Sequence, residues 1–100
     1  MSFREARANP STTQDNTELI EARLHQYVVL DHIYVSALAP VTVSLVNSIS
    51  HDVVWLQYVG PKGGSTGVYG ASSFIGQGLD LNTDADSAVF IWVKYHYSDD

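Results

Sequence analysis

Apolar residues recur at every second position through much of the chain, the period of a pleated strand whose side chains alternate between two faces. In QYVVLDHIYVSAL (26–38), Tyr27, Val29, Ile33 and Val35 alternate with Val28, Leu30 and Tyr34. Both sets are apolar, so this strand is expected to be covered on both sides, with Asp31 and His32 interrupting it. Pro40 closes the segment, and VTVSLVNS (41–48) follows with Val41, Val43 and Leu45 facing one way. SISHD (48–52) reads as a turn. VVWLQYVG (53–60) reads as a further strand, with Val54, Leu56 and Tyr58 set against Val53, Trp55 and Gln57. The strongest alternation is in SAVFIWVKYHY (87–97). There Ala88, Phe90, Trp92, Lys94 and His96 share one face, and Val89, Ile91, Val93, Tyr95 and Tyr97 the other.

Between these runs lie segments of different chemistry. GPKGGSTGVYGASS (60–73) carries five of the seven glycines and a proline, which suits a long turn-rich connection, with a short strand expected around SSFIG (72–76). GLDL (78–81) reads as an edge strand with Leu79 and Leu81 inward and Asp80 and Asn82 outward. TELIEARLHQ (17–26) fits either a short helix beginning near Thr17, with Leu19, Ile20 and Leu24 on one side, or the entry to a long strand; an extended or mixed conformation is preferred here. Residues 1–18 are polar and broken by Pro10, the pattern of an extended arm. Several short strands with turn signals between them predict an all-β chain: a small β-sandwich or jelly-roll-like barrel over 23–100, preceded by an extended N-terminal arm over 1–22.

Composition narrows the partners. One hundred residues make one domain, and 45% apolar residues are enough to fill a core. The net charge is −6 with only five Lys and Arg, so the basic surface that nucleic acid or an anionic membrane demands is missing. Without cysteine there is neither a disulfide framework nor thiolate metal ligation. MSFREARANPSTTQDN lacks the apolar run of a secretory signal, and no stretch reaches the about 18 to 20 apolar residues of a membrane span. The expectation is a protein that no signal peptide exports.

Four places invite a chemical reading. DLNTDAD (80–86) sets Asp80, Asn82, Asp84 and Asp86 at alternate positions, like the start of a calcium loop. The sixth position is Ala85 and the twelfth Ile91, where an EF-hand needs Gly and a bidentate Glu, so a turn with its own backbone hydrogen bonds is expected instead. GPKGGSTG has Lys62 ahead of the glycine pair and no helix after it, unlike a phosphate loop. His25, His32, His51 and His96 lack the spacing that aims two rings at one metal, although His25 and His32 could face each other across strands. No nucleophile elbow accompanies the serines and histidines, so neither an enzyme nor a cofactor is expected. Trp55, Tyr58, Tyr69, Trp92 and Tyr95 are candidates for an inter-subunit or ligand-binding aromatic surface.

The second half, with its glycine-rich connection, Gly78-Leu79-Asp80-Leu81, a Ser/Thr/Asp turn and Ala88-Val89-Phe90-Ile91-Trp92-Val93-Lys94-Tyr95, resembles the closing segment of small β-sandwich virion proteins of tailed bacteriophages. HQYVVLDHIYVSALAPVTVSLVNS fits the preceding strand pair of that group, and the likeness extends over about 24–97. The resemblance implies a capsid decoration (cement) protein, a homotrimer that binds the major capsid protein on the virion surface after assembly in a host cytoplasm. It carries over no catalytic residue. The polar arm departs from the pattern and would serve as a clamp, which makes Phe3, Arg4, Arg7, Pro10, Leu19 and Ile20 candidate capsid or subunit contacts. The alternative is a carbohydrate-binding or host-recognition module of a phage tail or fibre, with exposed Trp and Tyr stacking on sugars.

Overall fold

A computed structural model describes residues 2–60, 64–67 and 71–99. The strands are β1 (Arg4–Ala8), β2 (Thr17–Ile20), β3 (Gln26–Ala37), β4 (Val41–Asn47), β5 (Val53–Val59), β6 (Gly64–Gly67), β7 (Leu79–Thr83) and β8 (Val89–Asp99). They form two antiparallel four-stranded sheets in the orders β1-β8-β3-β6 and β2-β7-β4-β5. The nesting is regular: first pairs with last, second with seventh, third with sixth, fourth with fifth. A long hairpin rolled up with β4 and β5 at its tip gives this order, the jelly roll. Among the described residues no helix is present, and so none is long and apolar enough to cross a membrane.

Alternation explains which faces meet. Val89, Ile91 and Val93 of β8 and Val28, Leu30, Ile33 and Val35 of β3 face Leu79 and Leu81 of β7 and Val41, Val43 and Leu45 of β4. Each buried Val, Leu or Ile contributes about 1.5–3 kcal/mol relative to exposure. Val, Ile and aromatic side chains also suit the strand backbone.

Two strands break the simple period. In β3 the pairing with β8 slips between Leu30 and His32, leaving Asp31 as the extra residue of a bulge. The core-facing set therefore runs Val28, Leu30, then Ile33, Val35, Ala37. Simple alternation grouped Val29 with Ile33 and Leu30 with Tyr34, and the bulge exchanges those partners. In β5 a slip against β4 between Leu45 and Val46 makes Val54 the extra residue. Val53, Leu56 and Tyr58 then share the outer face opposite Val46, Ser44 and Thr42, while Trp55 packs inward against the core.

Within residues 2–22 two segments are extended, and both lie along their own chain. β1 pairs with β8 and β2 with β7, each forming the outer strand of one sheet, and Ile20 is a fully buried core residue. TELI is strand rather than helix. Two further expectations shift. GLDL belongs to β7, an interior strand between β2 and β4 rather than an edge. SSFIG holds only an isolated bridge from Ser72 to Val29.

The ends of the sandwich close with side chain to backbone bonds. The Ser73 hydroxyl accepts from the Val28 N–H at 2.8 Å and donates to the Gln77 carbonyl at 2.8 Å. Asn47, almost wholly buried, donates to the Asp52 carbonyl and accepts from the Phe74 N–H. A Cβ on Gly78 would lie 2.7 Å from the Ala22 nitrogen, so glycine here lets β2 close onto β7.

Candidate functional site

The outer face of the first sheet carries a row of rings, because β8 has no bulge and sends Phe90, Trp92, Lys94 and His96 to one side. Each meets a partner from a neighbouring strand. Tyr34 meets Phe90 edge-on at 6.1 Å between centroids, and His32 tilts against Trp92 at 6.0 Å. The Trp92 indole N–H donates to Glu5 Oε1 at 3.0 Å. Phe3 stands edge-on to His96 at 5.6 Å, with Lys94 Nζ 4.5 Å from its ring centre, a cation–π distance.

At the Asp31 bulge, His96 Nδ1 lies 2.8 Å from Asp31 Oδ2, and both groups are largely covered. An aspartate orienting an imidazole is half of an acyl-transfer triad. The other half is a nucleophile on the far ring nitrogen, and no hydroxyl among the described residues bonds to His96. The pair ties the bulged β3 to the end of β8.

The outer face of the second sheet is divided into an acidic and an apolar half. A groove of about 370 Å³ is lined by Gln14, Asp15, Thr42, Ser44, Asn82 and Asp84, among others. Much of its polar chemistry is engaged in the fold: Asp84 Oδ1 accepts from the Thr42 N–H, and Asn16 and Asn82 bond to each other. Beside it, β5 shows Val53, Leu56 and Tyr58, which leave 57%, 57% and 63% of their surfaces exposed. At one end of the sandwich Ile49, Phe74 and Ile75 are also exposed, their segments joined by bonds from the Ile49 and Ser50 N–H groups to Gln77 Oε1.

The alternating acids separate once folded. Asp80 and Asn82 lie in β7, and Asp84 and Asp86 in the turn after it. The turn carboxylates cap other segments rather than their own backbone: Asp86 Oδ1 accepts from the Thr13 N–H at 2.7 Å and the Thr13 hydroxyl at 2.9 Å. Those two bonds hold the Asp86 carboxyl below the usual carboxylate range. Asp80 goes the other way, pushed up first by burial and then by Glu18 directly across on β2, while His51 draws it down. No group of three or more His, Asp or Glu placed to hold a metal occurs among the described residues. His25 immediately precedes β3, the strand that contains His32, so the two do not face each other across strands.

The candidate contacts of the arm fall on both surfaces and in the interior. Phe3 and Arg7 are exposed, Arg4 reaches over the Tyr97 ring, Leu19 is half-buried and Ile20 is core. The half-buried Pro10 accepts the Val89 N–H. Of the aromatics, Tyr95 is buried, Trp55 and Trp92 are half-buried and Tyr58 is exposed. Tyr69 and Lys62 lie outside the described residues. The sequence reading missed Asp31 with His96, whose pairing needs the bulge, and Val53 with Leu56, which strict alternation separates.

The chain matches no protein-family model, and comparison with curated proteins finds no significant match.

Proposed function

We propose that this protein is a structural assembly module, a capsid decoration (cement) protein that binds and stabilises a phage head as a homotrimer. The observation that carries the reading is the two exposed apolar groups, the β5 row and the Ile49–Phe74–Ile75 end, on a sandwich whose core is already filled. Contiguous exposed apolar side chains of this extent mark interaction sites. A cement protein has two kinds of neighbour, its own copies and the shell, and so requires two such surfaces. Multiple weak contacts would then add through avidity. The jelly roll agrees by analogy only, since capsid proteins and lectins both use it.

The carbohydrate-binding alternative has less support. A sugar platform needs free aromatic faces, yet Trp55 packs on the core and Trp92 is half-buried against the His32 ring, which leaves Tyr58 as the exposed ring among the described candidates.

Mass analysis and electron microscopy of purified virions made by the genome that encodes this chain test the proposal. The protein is expected in fixed copy number on the outside of the head. Virions that lack it would refute the assembly role.

A further inference from the structure

We infer that β5 is the surface through which one copy of this chain meets another. The inference rests on the assembly reading and names its self-contact.

Among the described residues the two sheets leave four edges: β1, β6, β2 and β5. An edge strand presents unpaired N–H and C=O groups, and proteins protect such edges with charge, proline or shortness. β1 carries Arg4, Glu5 and Arg7, β2 carries Glu18, and β6 is four residues long. β5 is Val-Val-Trp-Leu-Gln-Tyr-Val, seven residues without a charge, a proline or a glycine. It has none of these protections apart from the bulge at Val54. That bulge lies near one end, which disfavours open-ended strand addition, and it aims Val53 to the same side as Leu56 and Tyr58.

Charge selects a second copy as the occupant. Each chain has a net charge of −6, so copies repel wherever their acidic surfaces approach. On the second sheet the acids Asp15, Glu18, Asp80 and Asp84 lie on β7, toward β2 and at the groove, and Asp52 ends the turn before β5, whereas the seven residues of β5 are themselves neutral. A basic partner would be drawn to the acidic half; only an uncharged contact suits two chains of the same sign.

The row supplies much of the area. The exposed parts of Val53, Leu56 and Tyr58 amount to roughly 300 Å² per copy, the scale of a functional apolar patch. Two copies bring about 600 Å² from these three residues, so residues flanking the row supply the rest of the about 1,000 Å² that a specific interface requires.

The test is sedimentation equilibrium of the whole chain and of the double variant Leu56→Lys/Tyr58→Lys, with circular dichroism to follow the fold. Wild type is expected at a multiple of 11.0 kDa and the folded double variant at 11.0 kDa. Leu38→Lys, at a site of 80% exposure away from β5, should leave the wild-type mass unchanged. Because the chain has no cysteine, Tyr58→Cys offers a second readout that does not depend on the lysine variant folding. Oxidation should link Tyr58→Cys chains covalently and leave Leu38→Cys chains single. An oligomer that survives Leu56→Lys/Tyr58→Lys, or no preferential linking through position 58, overturns the β5 contact and leaves the assembly reading standing. A wild type that stays at 11.0 kDa also overturns the contact; attachment to virions is then the separate measurement that decides the assembly reading.

Discussion

Asp80 is a carboxylate in an unfavourable place. It is 7% exposed, stands opposite Glu18, and its carboxyl is raised by burial and by that neighbour. A pKa raised in the folded state means that the fold favours the protonated form. The stabilising contribution is complete below the ordinary carboxylate range and is lost as pH rises through the folded value. Asp80→Asn keeps the shape and removes the charge, so it is expected to raise the thermal midpoint at pH 7 and to change it little near pH 3. Melting curves at the two pH values check this, and a lower midpoint at pH 7 would contradict it. Asp86 works with the opposite sign. Its depressed pKa gives stability that is present at neutral pH and lost as pH falls, when the bonds from Thr13 lose their charged acceptor. The sequence displays both residues as equivalent members of one acidic run, and their surroundings make them opposites.

At the scale of the element, one extra residue decides which side chains a strand shows. β8 contributes no extra residue to its pairing with β3, and its inner set of Val89, Ile91, Val93 and Tyr95 follows the sequence period. β3 and β5 contain bulges, and there the period misassigns partners. A bulge has little sequence signature, because it is fixed by the register of the neighbouring strand. β1 and β2 were hard to recognise for another reason: an edge strand with a wet face carries few apolar residues, as REARA illustrates. They are nevertheless structural. Deleting residues 1–22 strips one strand from each sheet, opens the edges of β7 and β8, and removes Ile20, whose loss alone is worth about 2–5 kcal/mol. Against a total stability of about 5–15 kcal/mol, the 23–100 fragment is expected to lose its cooperative thermal transition. A soluble fragment that melts sharply would show the first two strands to be dispensable.

The whole molecule is held by contacts between distant segments. β1 lies against β8, with Glu5 and Trp92 bonded across 87 positions, and β2 lies against β7. Neither sheet is made from a contiguous piece of chain, so the two are expected to unfold together. The two tryptophans provide the measurement, since Trp92 belongs to the first sheet and Trp55 to the second. Trp55→Phe and Trp92→Phe each leave one fluorescent reporter, and in each variant the fluorescence midpoint in urea should coincide with the dichroism midpoint. Separate midpoints within a variant would reveal sheets that unfold independently. With pairing this remote, refolding is expected in the range of milliseconds to seconds.

The sequence by itself determined an all-β chain, the inward set of its last strand, the lack of thiol chemistry and the uncharged composition of β5. These follow from local periodicity and residue type, which need no partner to be read. Tertiary structure decided that Asp80 is covered, that Asp31 meets His96, that β1 and β2 each join one of the sheets, and that Val53, Leu56 and Tyr58 form one row. Each of those depends on register or on which strand lies alongside, and both are set by pairing between segments tens of residues apart.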